Sequence, residues 1–264
     1  MAKGNRGGRR GQPAQATPAA AGGGTGGGGG GGGAPVNAQW LTNQQASTLR
    51  QQQDSSYDAN TTAAVKQYIS NTNFDGQGHS LSQTMNFLLD NGVDLQTANV
   101  KQLNKQYGLR LDNRALASMQ YTDAYMSIAT HPIGQDINLL RGAHDDLLKN
   151  VFGISDYSKL SQAQLDKRLT GKTFKTTSYM STSYDKNKNP FLSSSSNVSG
   201  GREVVYNIKA GKNTKMLFGA RKQAEMILDK GTDFKITGVY YTGQTATPRG
   251  GSSKPQIIVY LETI

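Results

Sequence analysis

The chain contains no cysteine. Disulfides, thiolate zinc sites and a cysteine nucleophile are excluded together. The lack fits a cytoplasmic protein, because disulfides persist in oxidising compartments. No apolar run reaches the roughly 18 residues a membrane helix requires, so no transmembrane span is expected. The basic N-terminus has no apolar segment behind it, so no secretory signal is expected. Histidine is scarce, and His79, His131 and His144 have no metal-ligand spacing. No metal centre is expected.

Apolar residues are also few, at 35%, and much of the deficit lies in residues 1–39. That segment is nearly all Gly, Ala, Pro, Gln and Arg, and Gly22 to Gly33 is interrupted only by Thr25. It cannot bury enough apolar surface to offset its ordering entropy, so it reads as a disordered tail. Trp40 marks the expected start of the ordered domain, which runs to residue 264.

What is there is positive charge, unevenly spread. The net charge is +11. Residues 1–40 carry Lys3, Arg6, Arg9 and Arg10 with no acid, giving +4. Residues 41–130 carry six bases and seven acids, giving −1; residues 131–264 carry 19 and 11, giving +8. The C-terminal half would attract a polyanion, unless the charge only solvates the surface.

The pattern is helical first and β-rich later. Ala63, Ala64, Tyr68 and Ile69 recur at helix spacing. Ser80 reads as the N-cap of a helix over 81–90 that stops at Gly92. A helix over 99–107 ends at Gly108, and another over 112–129 has Leu116, Met119 and Met126 inward, with His131-Pro132 closing it. Beyond Pro132, a strand over 137–141 enters Gly142, and short helices follow over 147–151 and 161–169. Strands are then expected over 176–184, 202–209, 214–218, 225–228, 234–241 and 256–262. Loops fall between Phe191 and Gly201 and between Thr242 and Lys254. Helices followed by strands indicate an α+β domain.

Three segments carry chemistry. Arg141 ends an apolar strand, Ser181-Thr182-Ser183 follows Tyr179-Met180, and Gln223-Ala224-Glu225 precedes the apolar run Met226 to Leu228. Each alone has an ordinary reading as a surface charge or a strand hydroxyl. In order, separated by 40 and 44 residues, they resemble the Arg–Ser-Thr-Ser–Glu motif set of mono-ADP-ribosyltransferases. Leu139-Leu140-Arg141-Gly142 resembles that family's first strand, and Phe174 with Met180-Ser181-Thr182-Ser183 its second motif. Gln223 to Ile236 resembles its Gln-x-Glu segment, while Tyr121-Thr122 and Tyr125 to Ile128 resemble the preceding helix of clostridial Rho-modifying exoenzymes and binary-toxin enzyme components.

The resemblance implies an ADP-ribosyltransferase-like two-sheet β core over about 132–264, with an N-terminal helical lobe over about 40–131. It implies NAD as substrate, with cleavage at the nicotinamide ribosidic bond through an oxocarbenium-like transition state. Glu225 would stabilise the charge that develops there. Arg141 would hold the cofactor's phosphate and ribose. Gly142 would let the backbone approach the nicotinamide amide, and Ser181 would orient Glu225. Thr182 and Ser183 complete that motif, and Phe191 and Arg202 are the nearest counterparts of the family's aromatic and arginine after it.

Gln223 bears on the acceptor. In this family a Glu at that place accompanies arginine targets; Gln cannot act as a base but can pair with an amide or a base edge. The resemblance thus implies transfer to Asn or Gln of a host protein, with Phe218 as the aromatic contact to the target. The alternatives are transfer to a guanine base or nucleotide, and a catalytically silent binding module on the same fold. Nucleic acid is a further candidate partner of the basic surface and tail. The implied workplace is the cytoplasm, that of a host if the protein is delivered by a phage or secretion system.

Overall fold

The computed structural model describes residues 38–70, 72–143, 146–185, 204–246 and 254–264. The Gly-rich segment 1–37, His144, the 191–201 loop and the 247–253 loop lie outside the described residues. Ala38 and Gln39, which the sequence assigns to the tail, already pair with the body: Gln39 bridges Ile137, and Asn138 Nδ2 donates to the Ala38 carbonyl at 2.8 Å.

Five helices come first: α1 (Asn43–Ser55), α2 (Ala59–Tyr68), α3 (Leu81–Asp90), α4 (Val100–Tyr107) and α5 (Asn113–Ala129). Then come β1 (His131–Pro132), β2 (Ile137–Ala143), α6 (Asp146–Phe152), α7 (Gln162–Leu169), β3 (Thr173–Lys175) and β4 (Met180–Ser183). The last strands are β5 (Val204–Ala210), β6 (Lys215–Phe218), β7 (Glu225–Leu228), β8 (Asp233–Ala246) and β9 (Lys254–Thr263). Local chemistry sets the helix starts. Thr42, Ser80 and Ser161 cap α1, α3 and α7, each answered by a glutamine three residues on. These capping boxes satisfy otherwise unpaired N–H groups. Gly108, at φ 67°, ends α4 in the left-handed conformation that glycine adopts without strain.

The strands order as β1-β6-β7-β4-β2-β5-β9-β8-β3. The join between β4 and β2 is a single pair, Leu140 with Ser183. The expected two-sheet core therefore consists of two halves of one sheet, hinged at that pair. Side-chain parity shows how the halves pack. Met216, Phe218, Met226 and Leu228 share a core with Ile137, Leu139, Tyr206, Ile208, Val259 and Leu261 of the other half. Leu217 and Ile227 point the opposite way, into a second core with α2–α5. The β6–β7 hairpin is thus covered on both faces, by sheet on one and by helices on the other. On the helical side, Lys230 Nζ lies 2.6 Å from Asp123 of α5, which also accepts from the Tyr179 hydroxyl.

One expectation is corrected. The strand read over 176–184 is shortened to β4, Met180–Ser183, and the separate strand β3, Thr173–Lys175, precedes it; β3 pairs with β8 and β4 with β7, on opposite halves of the sheet. The chain must cross between them, and Thr176 leaves the ladder to exchange hydrogen bonds with Gly231 and Thr232.

Leu217 is fully buried between β6 and the helices. Leu217→Ala is expected to destabilise the fold by about 2–5 kcal/mol through lost burial and a residual cavity. A denaturation midpoint within error of wild type would contradict the two-faced packing of the hairpin.

Candidate active site

The antiparallel register of β4 and β7 places Ser181 opposite Ile227, Thr182 opposite Met226 and Ser183 opposite Glu225. Alternation then sorts the motif. Ser181, Ser183 and Glu225 lie on the face shared with Ile227, towards the helical lobe. Thr182 lies on the other face, 5% exposed, its hydroxyl donating to the Met226 carbonyl at 2.8 Å. The structure therefore makes Thr182 a lock between strands and removes it from the residues open to a ligand.

Glu225 opens β7 and is half-buried. Its Oε2 accepts from the Ala220 N–H at 2.7 Å, and Oε1 takes no hydrogen bond among the described residues. Ser181, expected to orient Glu225, stands opposite Ile227, and the cross-strand partner of Glu225 is Ser183. Ser181 serves Arg141 instead: Arg141 Nη1 donates to the Ser181 carbonyl at 2.8 Å. Arg141 and Gly142 lie half-buried in β2, beside the hinge between the halves. The Ser183 hydroxyl donates to the carbonyls of Asp185 and Gln223 at 3.1 and 3.3 Å, which pins the turn before Glu225.

That turn runs from Gly219 to Ala224. Gly219 N–H donates to the Glu225 carbonyl, and Ala224 sits at φ 48°. A left-handed alanine costs roughly 1–2 kcal/mol, so the closed turn and the buried Ala224 methyl must hold it there. Arg221, Lys222 and Gln223 project into solvent from the turn. Phe218 does not. It is 3% exposed, edge-on to Tyr184 at 5.9 Å, and sandwiched in the core with the Arg50 guanidinium 4.9 Å from its ring centre. Its expected contact with the target is corrected accordingly: it shares the core-facing parity of Met216. Phe191 and Arg202 lie outside the described residues.

Several residues at the site were not found from the sequence. Tyr68 of α2 is buried, and its hydroxyl accepts from Asn86 Nδ2 at 2.9 Å. Burial pushes the Tyr68 phenol up; the Glu225 carboxylate pushes the same way and the Arg141 guanidinium opposes it. Asn86 Oδ1 is a buried acceptor with no hydrogen-bond partner among the described residues. Gly219 is required by close approach: a Cβ there would stand 2.2 Å from Glu225 Oε2. Arg50 is buried, donates from Nη1 to the Gly219 carbonyl at 2.7 Å, and has its charge disfavoured by burial, with Tyr184 opposing. Gln53 hydrogen-bonds both the Met216 carbonyl and the Phe218 N–H, at 2.9 and 2.8 Å. It substitutes for a neighbouring strand at that edge of β6.

The donor set suits a dinucleotide: an arginine with nitrogens to spare, a carboxylate with one free oxygen, and a buried acceptor awaiting a donor. Among the described residues no group of three or more His, Cys, Asp or Glu could hold a metal. Among them, no helix is long and apolar enough to cross a membrane.

A carboxylate, an arginine and a Ser-Thr-Ser strand are thus gathered at the hinge of this sheet. The family model for ADP-ribosyltransferase exoenzymes matches residues 97–259, and the chain belongs to that family. It is an NAD-dependent mono-ADP-ribosyltransferase of the toxin type, with NAD as substrate. Among solved structures it is similar to the C3 exoenzyme of Clostridium limosum, with a TM-score of 0.55 at 16% identity, covering 86% of this chain and 98% of that one. It is also similar to Plx2a, an ADP-ribosyltransferase toxin from Paenibacillus larvae, with a TM-score of 0.54 at 14% identity and coverage of 84% and 94%. The C3stau2 enzyme of S. aureus, solved with NAD, gives a TM-score of 0.51 at 14% identity, with coverage of 86% and 97%. No curated protein sequence matches the chain significantly.

Proposed function

We propose that the enzyme transfers ADP-ribose to the amide side chain of an asparagine or glutamine in a host protein. The observation that carries this reading is Gln223. Its backbone is fixed at both ends of the turn, with N–H to the Ala220 carbonyl and carbonyl to the Ser183 hydroxyl. Its side chain is exposed two residues before Glu225. A primary amide can donate to and accept from another primary amide at once, whereas it cannot deprotonate a guanidinium.

NAD supplies the bond that breaks, with positive charge developing on the nicotinamide ribose as nicotinamide departs. Glu225 places its free Oε1 beside that charge, in a site shielded by the helical lobe, where a fixed carboxylate is worth most. Arg141, aimed by the Ser181 carbonyl, offers its remaining donors to the pyrophosphate. Gly142 continues the same strand with no side chain to bar the nicotinamide. Ser183 secures the turn that presents Gln223. The helices of residues 40–131 belong to the enzyme itself, since their core includes Leu217, Ile227 and Tyr179.

A guanine or nucleotide acceptor is the second reading. It is favoured by the exposed Arg221 and Lys222 beside Gln223, which suit a phosphate backbone. Labelled NAD in a host lysate separates the two: label removed by protease and retained after nuclease supports a protein acceptor. The reverse overturns it. Gln223→Ala is expected to lower transfer to the acceptor at least about tenfold, with a smaller effect on nicotinamide release to water. Equal losses in both assays would assign Gln223 to catalysis instead of acceptor choice.

A further inference from the structure

Arg50 stands 169 residues before Gly219 in the chain, and its buried cation meets a backbone carbonyl. A buried charge is a costly packing group and needs a specific return interaction. The return is visible in one peptide unit. The Gly219–Ala220 peptide is trans, so its C=O and N–H point in opposite directions. The carbonyl accepts from Arg50 Nη1 at 2.7 Å, and the N–H donates to Glu225 Oε2 at 2.7 Å. One rigid plane therefore connects the guanidinium to the carboxylate.

We propose that Arg50 is a positioning residue for Glu225, acting through the Gly219–Ala220 peptide. The proposal rests on the reading of Glu225 as the catalytic carboxylate. Holding the carbonyl prevents the peptide from turning over, which would withdraw the N–H from Oε2. The cation also polarises the peptide, which strengthens its N–H as a donor. The helix carrying Arg50 is itself held in register: Gln53, one turn later, binds β6 through both Met216 and Phe218. The Phe218 ring beneath the guanidinium restricts its swing. The free oxygen of Glu225 is thereby aimed from behind, by a residue that touches no substrate.

The test compares Arg50→Gln, Arg50→Lys, Glu225→Gln and wild type, each full-length, in steady-state nicotinamide release from NAD. Far-ultraviolet circular dichroism and a thermal melt are recorded for each. Arg50→Gln is expected to lower kcat by about ten- to a hundredfold with KM for NAD changed less than about threefold. Arg50→Lys, which can still donate to the Gly219 carbonyl, is expected to recover most of that loss. Wild-type kcat in Arg50→Gln with an inactive Glu225→Gln would overturn the Arg50 proposal and leave the Glu225 reading standing. A raised KM at unchanged kcat would also overturn it, by placing Arg50 in cofactor binding. So would loss of the cooperative melt in both Arg50 variants, which would make the residue a support of the fold. Full activity in Glu225→Gln would remove the reading beneath it.

Discussion

Glu225→Gln is expected to slow nicotinamide release from NAD by about 10²–10³-fold while leaving the melting temperature nearly unchanged. The two halves of that expectation come from different observations. The side chain is half-buried at the start of β7, and Oε2 takes one hydrogen bond, from Ala220. Glutamine preserves the shape and can still accept from that N–H through its amide oxygen, so the turn should survive. It cannot preserve the charge. With its oxygen kept on the Ala220 N–H, a glutamine presents its NH2 group where the free Oε1 stood, so a carboxylate charge beside the developing ribose cation is replaced by the positive end of an amide dipole. Nicotinamide release and a thermal melt on the same preparation check both parts. Wild-type turnover would remove Glu225 from the chemistry.

Gly219→Ala should be nearly as damaging, although it changes one hydrogen for a methyl. The new Cβ would lie 2.2, 2.6 and 2.8 Å from Oε2, Cδ and Cγ of Glu225. Atoms do not approach so closely, and the group that yields is the flexible end of the carboxylate side chain. Gly219 does not have the positive φ that penalises alanine, so the backbone can accept the change. The expected result is therefore a folded protein with a displaced carboxylate. A misplacement of about 1 Å in catalytic geometry costs roughly 10²-fold in rate. Turnover near wild type in Gly219→Ala would show that the carboxylate is not held where the structure places it.

The sequence made some of this legible and hid the rest for identifiable reasons. The strand Glu225–Leu228 and the helix Leu81–Asp90 were readable because an apolar pattern and flanking caps or turns coincide. The Arg141, Ser181 and Glu225 segments were readable as a set because order and spacing survive where overall identity does not. Phe218 was misread from its position in a turn, although alternation along Met216, Leu217 and Phe218 places it on the core-facing parity. The same alternation would have removed Thr182 from the ligand-facing side. Helix α1 was passed over because its buried residues are Ala46 and Arg50, which leave no apolar stripe to detect. Its Thr42–Gln45 capping box was the available signal. The roles of Arg50, Gly219 and Tyr68 arise from contacts between distant segments. No local pattern encodes them.

The hinge between the two halves of the sheet explains why the site sits where it does. Arg141 follows Leu140, which pairs with Ser183 to join β2 to β4, the one such pair among the described residues, and Glu225 lies one strand beyond. The carboxylate and the guanidinium thus belong to different halves, brought together by the join. The turn before Glu225 carries its exposed side chains, Arg221, Lys222 and Gln223, away from either half.

The central claim is transfer of ADP-ribose to an amide side chain under the control of Glu225. Fragmentation mass spectrometry of host proteins incubated with NAD and the enzyme tests it most directly. A single ADP-ribose on an asparagine or glutamine, absent when Glu225→Gln replaces wild type, is the predicted result. ADP-ribose on arginine or on nucleic acid, or equal modification by the variant, would contradict it.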